Sequence, residues 1–155
     1  MRRVRHPGLV LLLAGWLALG GGPAAFVGSG EAGVKADPHR GSAQVTFVAL
    51  TQEGRERRGS HFRAAEVRVL TITVEWRTLV GAHTQRLELM TPDGSVYQRF
   101  TSDVESVTGR AIVETRLPVA GTWITQYSLE GKWKVNVYLD DAVAPVTSDT
   151  FTLAK

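Results

Sequence analysis

The residues best suited to binding chemistry in this 155-residue chain are four arginines in one short segment, EGRERRGSHFR, residues 53–63. Guanidinium groups form paired hydrogen bonds to carboxylates and phosphates, so such a cluster can hold an acidic protein, a phosphate or an anionic lipid surface. The same composition is typical of a long polar connection that charge keeps soluble. Both interpretations remain open for the set Arg55, Arg57, Arg58 and Arg63.

A second group with binding chemistry is aromatic. Trp123 and Tyr127 lie in GTWITQYSLEG, residues 121–131, between two glycines. Side-chain alternation on the predicted strands turns Tyr97 and Tyr138 away from the apolar faces. Exposed rings stack on sugars or contact proteins, whereas buried rings would form a small satellite core under this loop. The alternatives are a carbohydrate-binding platform of Trp123, Tyr127 and Tyr138, and a packing role.

Metal ligands are sparse. The chain has no cysteine, and His39, His61 and His83 are the histidines beyond the N-terminal segment. A periplasmic metal-binding sandwich that uses His61 and His83 is an alternative, but soft copper would also require methionines, and one of the two is the initiator. Asp140 and Asp141 could contribute to a calcium site, yet calcium needs six or more oxygens. We expect no metal and no cofactor.

Catalytic motifs are missing from the sequence. It contains no G-x-S-x-G elbow, no H-E-x-x-H pair, no phosphate loop and no G-x-G-x-x-G turn. Ser29 lies in a glycine-rich segment, where no oriented base could activate it. The sequence therefore predicts a protein that is not an enzyme.

The N-terminal segment predicts export. Three arginines precede an apolar run at 9–19, and the small residues Gly22 and Ala24 follow. This order is typical of a secretory signal peptide, and the run is shorter than the roughly 18–20 apolar residues that a membrane span needs. We expect cleavage after Ala24 and a periplasmic or extracellular protein with no stable membrane span. An uncleaved N-terminal anchor is the alternative.

Cleavage changes the charge balance. The chain has 18 basic and 15 acidic residues, and three of the basic ones lie in the signal segment. The remaining chain carries 15 of each sign and is close to neutral. A neutral domain lacks the overall positive field that attracts nucleic acid, so we expect an envelope protein or a surface polymer as partner, and no nucleic acid.

The rest of the chain has the pattern of an all-β domain. Residues 25–42 are rich in Gly, Ser and Pro and predict a flexible leader. Residues 43–155 break into short alternating runs between turn signals, which favours one sandwich domain. The turn TPDG at 91–94 predicts a hairpin. The seven predicted strands are 43–50, 67–77, 84–90, 96–100, 110–117, 132–140 and 146–153.

Two of these strands have clear faces. In VRVLTITVEWR, Val67 and Val69 are out of phase with the apolar set, which indicates a β-bulge near Val69 or a start buried on both faces. The strand KWKVNVYLD alternates apolar and polar residues and so predicts a half-buried scaffold strand. The inward sets are Leu70, Ile72, Val74 and Trp76, and Trp133, Val135, Val137 and Leu139; the outward set of the second strand is Lys132, Lys134, Asn136 and Tyr138.

Four stretches carry a resemblance: TPDGSVYQRF, LPVAGTW, LEGKWKVNVYLDD and SDTFTL. Together they are similar to the C-terminal half of bacterial immunoglobulin-like, fibronectin type III-like and macroglobulin-like sandwich domains. The resemblance covers about residues 87–153. It implies a single immunoglobulin-like antiparallel β-sandwich in a cell-envelope setting, without a transferable active site. The expected function is a non-catalytic binding or structural module.

Overall fold

The computed structural model describes residues 41–155, so the predicted signal peptide at 1–24 and nearly all of the leader at 25–42 lie outside the described residues. The described chain forms nine strands, one 3₁₀ turn (Ala64–Glu66) and one single-turn helix, α1 (Trp123–Gln126). The strands are β1 (Ser42–Thr51), β2 (Glu56–Arg58), β3 (His61–Arg63), β4 (Val67–Arg77), β5 (Gly81–Met90), β6 (Val96–Ser106), β7 (Arg110–Pro118), β8 (Gly131–Leu139) and β9 (Thr147–Ala154).

The strands form two sheets. Sheet A has the order β2-β1-β4-β7, and sheet B has the order β3-β9-β8-β5-β6. All neighbouring strands are antiparallel except β3 and β9, which are parallel. The consecutive pairs β1–β2, β5–β6 and β8–β9 each stay within one sheet, and the other connections cross from one sheet to the other. Two packed and mainly antiparallel sheets with such crossings are the arrangement of an immunoglobulin-like sandwich. The predicted all-β class is confirmed; the seven predicted strands correspond to β1 and β4–β9, and β2 and β3 are additional.

Strand β4 shows the predicted alternation. Its set Leu70, Ile72, Val74 and Trp76 is fully buried. The register with β1 shifts between Leu50 and Thr51, which pair with Val69 and Val67, so Arg68 is the extra residue of a β-bulge. The predicted bulge is therefore confirmed, and it explains why the two valines are out of phase.

Strand β8 forms the centre of the core on sheet B. Its predicted inward set, from Trp133 to Leu139, is buried. The ring of Trp133 stacks on Phe151 of β9, with centroids 6.0 Å apart, and Phe151 in turn lies 5.2 Å from Phe47 of β1. These three aromatic side chains therefore connect the two sheets.

One polar pair also crosses the core. The indole N–H of Trp76 on β4 donates a 2.7 Å hydrogen bond to Oε1 of Gln85 on β5, and both side chains are buried. This bond satisfies two polar groups that burial would otherwise leave without water. It joins the sheets where the chain passes from β4 to β5.

The outer face of β8 differs from the prediction. Lys132 and Lys134 are exposed as expected, but Asn136 and Tyr138 are buried. Asn136 accepts a hydrogen bond from Ser148 on β9. Side chains of the neighbouring strands cover this part of the sheet, so the strand is buried on both faces near its end.

The predicted hairpin at 91–94 is confirmed, because β5 and β6 pair on either side of it. Gly94 has a positive φ of 86°, which a glycine adopts without strain. The carboxylate of Asp93 accepts hydrogen bonds from the Thr91 hydroxyl and the Ser95 N–H, and these bonds lower its pKa from the usual value. The acid therefore stabilises the turn in its charged form.

Candidate functional site

The arginine segment is not the single loop that the sequence predicts. The chain leaves sheet A after β2 and enters sheet B at β3, and Gly59 between them has a φ of 151°. Arg57 and Arg58 thus lie on the edge of sheet A, while Arg63 lies on the edge of sheet B. Arg55 lies in the turn before β2. Backbone pairing with β1 and β9 holds both short strands, despite their polar composition.

Glu66 brings two of these arginines together. Nη1 of Arg57 lies 3.0 Å from one carboxylate oxygen of Glu66, and Nη1 of Arg63 lies 3.7 Å from the other. Arg55 pairs with Glu53 at 3.4 Å. Among residues 41–155, Arg58 has no ion-pair partner. The four arginines therefore occupy three different environments.

Arg57, Arg63 and Glu66 line an open cleft of about 470 Å³, with His61, Phe62 and Ala154 as the other lining residues. We call it the Arg57–Arg63 cleft. Two guanidiniums face one carboxylate, so the cleft carries an excess positive charge. A second open cleft, of about 430 Å³, adjoins it through the shared residues Arg57 and Glu66 and contains Arg55.

Sequence reasoning missed Glu66. The signal was available, because Arg63 and Glu66 are three residues apart, a spacing that brings side chains together on one helical turn. The spacing was not recognised as helical, because the turn at Ala64–Glu66 is too short to show a helical period.

The aromatic residues in α1 and directly after it are exposed. Trp123 and Tyr127 remain 66% and 67% exposed, with ring centroids 6.1 Å apart in an edge-to-face arrangement. The Thr122 hydroxyl caps the helix by accepting the Ile124 N–H at 3.3 Å, and Ile124 is fully buried. Ile124 thus anchors this segment, and the rings of Trp123 and Tyr127 are left to solvent.

Tyr138 does not join that pair. It lies at the other end of β8 from the α1 segment, is only 8% exposed, and donates a hydrogen bond to Glu88 at 3.2 Å. The guanidinium of Arg86 lies 4.3 Å above its ring. Burial, followed by the Glu88 hydrogen bond, raises the pKa of Tyr138. Tyr138 therefore lies on the outer face of β8 as expected, but long side chains of β5 cover it, so it is not part of an exposed aromatic platform.

Tyr97 is also not free on the surface. Its ring packs edge-to-face on Trp133, with centroids 5.2 Å apart, and it is partly buried against the core. The prediction that it points away from the apolar face is wrong, because Tyr97 reaches the core from the edge strand β6.

The structure does not bring His61 and His83 together. His61 lies on β3 and His83 on β5, with β9 and β8 between them. Nδ1 of His83 lies 2.9 Å from a carboxylate oxygen of Asp140, and Nε2 lies 3.1 Å from the Val80 carbonyl oxygen. The Asp140 bond, and then the Val80 bond, raise the pKa of His83. In residues 41–155, no group of three or more His, Asp or Glu side chains is arranged to hold a metal ion.

No helix in the described part of the chain is long and apolar enough to cross a membrane.

Comparisons with known proteins give no family and a distant structural likeness. No protein-family model and no curated protein matches the sequence. Among solved structures, an immunoglobulin-like protein from Pseudomonas aeruginosa is similar to this chain with 11% identity and a TM-score of 0.39, over 78% of this chain and 99% of that one. A likeness at this level carries no argument about either fold or function. The strand order and register described above remain the basis for the immunoglobulin-like assignment.

Proposed function

We propose that the chain is an exported, non-catalytic binding module of the cell envelope that holds an anionic partner in the Arg57–Arg63 cleft. The observation that carries the proposal is the convergence of two arginines, from the edges of different sheets, on the single carboxylate of Glu66. The Arg-then-apolar order of the N-terminal segment supports export. A rigid sandwich that presents edge residues to a ligand suits a binding role.

The number of hydrogen-bond donors in the cleft favours an anionic ligand. Each guanidinium has five N–H donors, and Glu66 engages only part of the ten that Arg57 and Arg63 provide. The remaining donors face solvent in the cleft, where a carboxylate or phosphate group can accept them in pairs. The chain without its signal segment is close to neutral, so attraction of an anion depends on this local cluster and not on a general positive field. The partner chemistry is therefore an acidic envelope polymer.

The test uses residues 25–155 with a polyuronate and a polyphosphate as acidic polymers, and dextran as the neutral control. Calorimetry at low and high salt measures the affinities. We expect binding to the acidic polymers that weakens with salt, and a loss of about tenfold or more, or roughly 1.4 kcal/mol, in the double variant Arg57→Gln/Arg63→Gln. Arg68→Gln is the matched control, because Arg68 is exposed and lies outside the cleft. Binding that persists in the double variant contradicts the proposal.

A second candidate function rests on a separate observation, the exposed pair of Trp123 and Tyr127. Two aromatic side chains two-thirds exposed on one helical turn provide a stacking surface for a sugar ring. Binding of a neutral glycan that quenches tryptophan fluorescence, is insensitive to salt and disappears in Trp123→Ala would favour this carbohydrate-binding function. Gln126→Ala, a change at an exposed position of the same turn, is the matched control.

A further inference from the structure

Strand β7 is an open edge of sheet A. The sheet order places it at the end, paired with β4 alone, over nine residues from Arg110 to Pro118. An edge strand presents unpaired backbone groups to any chain that can align with it. At the opposite edge of the same sheet, β2 has only three residues. Strand β7 is therefore the long open edge of sheet A.

The backbone groups that face the open side can be identified. The Val119 N–H donates to the Arg68 carbonyl at 3.0 Å, so the neighbouring pair of Val69 and Pro118 is a non-hydrogen-bonded pair. The β4–β7 register continues without a shift, and pairs of the two types alternate along it. Odd-numbered residues of β7 consequently bond to β4. The N–H and C=O groups of Ile112, Glu114 and Arg116 point to the open side.

The side chains of these same residues lie on the exposed outer face of sheet A. Ile112 is 57% exposed. Glu114 and Arg116 are exposed, and neither has an ion pair or a side-chain hydrogen bond within residues 41–155. Arg110, in contrast, already pairs with Glu75 at 3.1 Å. The middle of the open edge thus carries one negative and one positive side chain that both lack a partner.

We infer that β7 pairs antiparallel with β7 of a second copy of this chain, about a two-fold axis at Thr115. In this register Glu114 of each copy lies opposite Arg116 of the other, and Ile112 lies opposite Pro118. Cross-strand pairs of opposite charge stabilise a sheet, and like charges in direct opposition destabilise it. The pairing is isologous, as expected for a closed dimer.

Other long registers fail on charge. An axis at Glu114 places two glutamates opposite each other, and an axis at Val113 places Arg110 opposite Arg116. An axis at Arg116 pairs two arginines. An axis at Ile112 also pairs opposite charges, but it aligns fewer residues of β7 and uses Arg110, which is already engaged with Glu75. Charge thus selects the Thr115 register among those that align most of the strand.

The hydrogen bonds agree with the same register. The Glu114–Arg116 pairs and the Ile112–Pro118 pairs are of the hydrogen-bonded type, because their backbone groups point to the open side. Pro118 has no N–H to donate, but it falls at the ends of the paired stretch, where proline is tolerated in a sheet. The charges that discourage pairing with unrelated strands therefore define the register with a second copy. This inference does not depend on the proposed anion-binding function.

Charge reversal provides the first test. Sedimentation equilibrium of residues 25–155 should show a dimer that dissociates on dilution, since a single edge pairing buries little area. Glu114→Arg and Arg116→Glu should each weaken the dimer by about tenfold or more, because each variant opposes like charges twice. The double variant should restore the dimer, and a mixture of the two single variants should form a heterodimer. Lys134→Glu, an exposed charge change on sheet B, should have no effect.

Cysteine substitution tests the axis itself. Thr115 would face Thr115 of the second copy in a non-hydrogen-bonded pair, with Cα atoms about 4.5 Å apart, within the range that a disulfide spans. The chain has no native cysteine, so the variant Thr115→Cys contains a single thiol. Under mild oxidation it should give a disulfide-linked dimer, whereas Val113→Cys should not. A monomeric wild type at all concentrations, a dimer that tolerates Glu114→Arg, or equal cross-linking of the two cysteine variants would overturn the inference.

Discussion

The buried hydrogen bond between Trp76 and Gln85 provides a quantitative test of how the two sheets are joined. Replacing Gln85 with Leu removes the acceptor and leaves the indole N–H buried without a partner. Such a loss costs about 1–3 kcal/mol of the free energy of unfolding. At 2.7 Å and with both side chains buried, the bond should fall in the upper half of that range. Gln98→Leu, the same change at an exposed position of β6, should cost less than about 0.5 kcal/mol.

A double-mutant cycle separates the bond from the packing. Trp76→Phe removes the donor and also some ring volume, so its cost alone cannot be assigned to the bond. In the double variant Trp76→Phe/Gln85→Leu both partners are apolar, and we expect it to be about 1–2 kcal/mol more stable than the sum of the single changes predicts. Urea unfolding followed by circular dichroism measures all four proteins. Additivity within about 0.3 kcal/mol would show that the bond contributes nothing to stability.

Three further predictions concern the core, pH and export. Trp133→Ala should lower the free energy of unfolding by about 3–5 kcal/mol, and Lys134→Ala on the opposite face by less than about 0.5 kcal/mol. Equal urea midpoints for the two variants would contradict the assignment of Trp133 to the buried face and Lys134 to the exposed one. The Asp140 bond raises the pKa of His83 in the folded protein, so the stabilisation from this bond is fully present below the unfolded pKa and is lost as the pH rises through the folded pKa. The variant His83→Gln should lose this part of the pH dependence of the free energy of unfolding. Curves of stability against pH that run parallel for the variant and the wild type would refute this prediction. Mass spectrometry of protein from its native host should find the N-terminus directly after Ala24, and an intact N-terminus in the cytoplasmic fraction would contradict export.

The regular strands could be predicted from the sequence because a half-buried strand alternates apolar and polar residues. The faces of β4 and the inward face of β8 follow directly from the period of two in their sequences. The outer face of β8 was not readable, because the burial of Tyr138 depends on Arg86 and Glu88, which reach over it from β5. A strand's own sequence contains no information about how long the side chains of its neighbours are.

The candidate site could be predicted from the sequence only in part, for a related reason. Composition identified the arginines, but β2 and β3 have three residues each and depend on partners elsewhere in the chain. Strand β3 pairs with β9, roughly 90 residues later, and that pairing moves Arg63 to the edge of the other sheet. Local patterns cannot predict such a contact. The polar pair of Trp76 and Gln85 was missed on the same grounds, since it forms only when the sheets face each other.

The parallel pairing of β3 with β9 has a mechanical consequence. Gly41 lies beside Arg77 at the end of β4, whereas Ala154 pairs with Arg63 shortly before β4 begins. Along the strand direction, Gly41 and Ala154 are therefore separated by the length of β4, roughly 30–35 Å. Tension between them slides β1 and β9 along their neighbours instead of peeling them away. Many backbone hydrogen bonds then bear the load together and must break together. The sandwich should therefore resist stretching along its long axis far better than force applied across it.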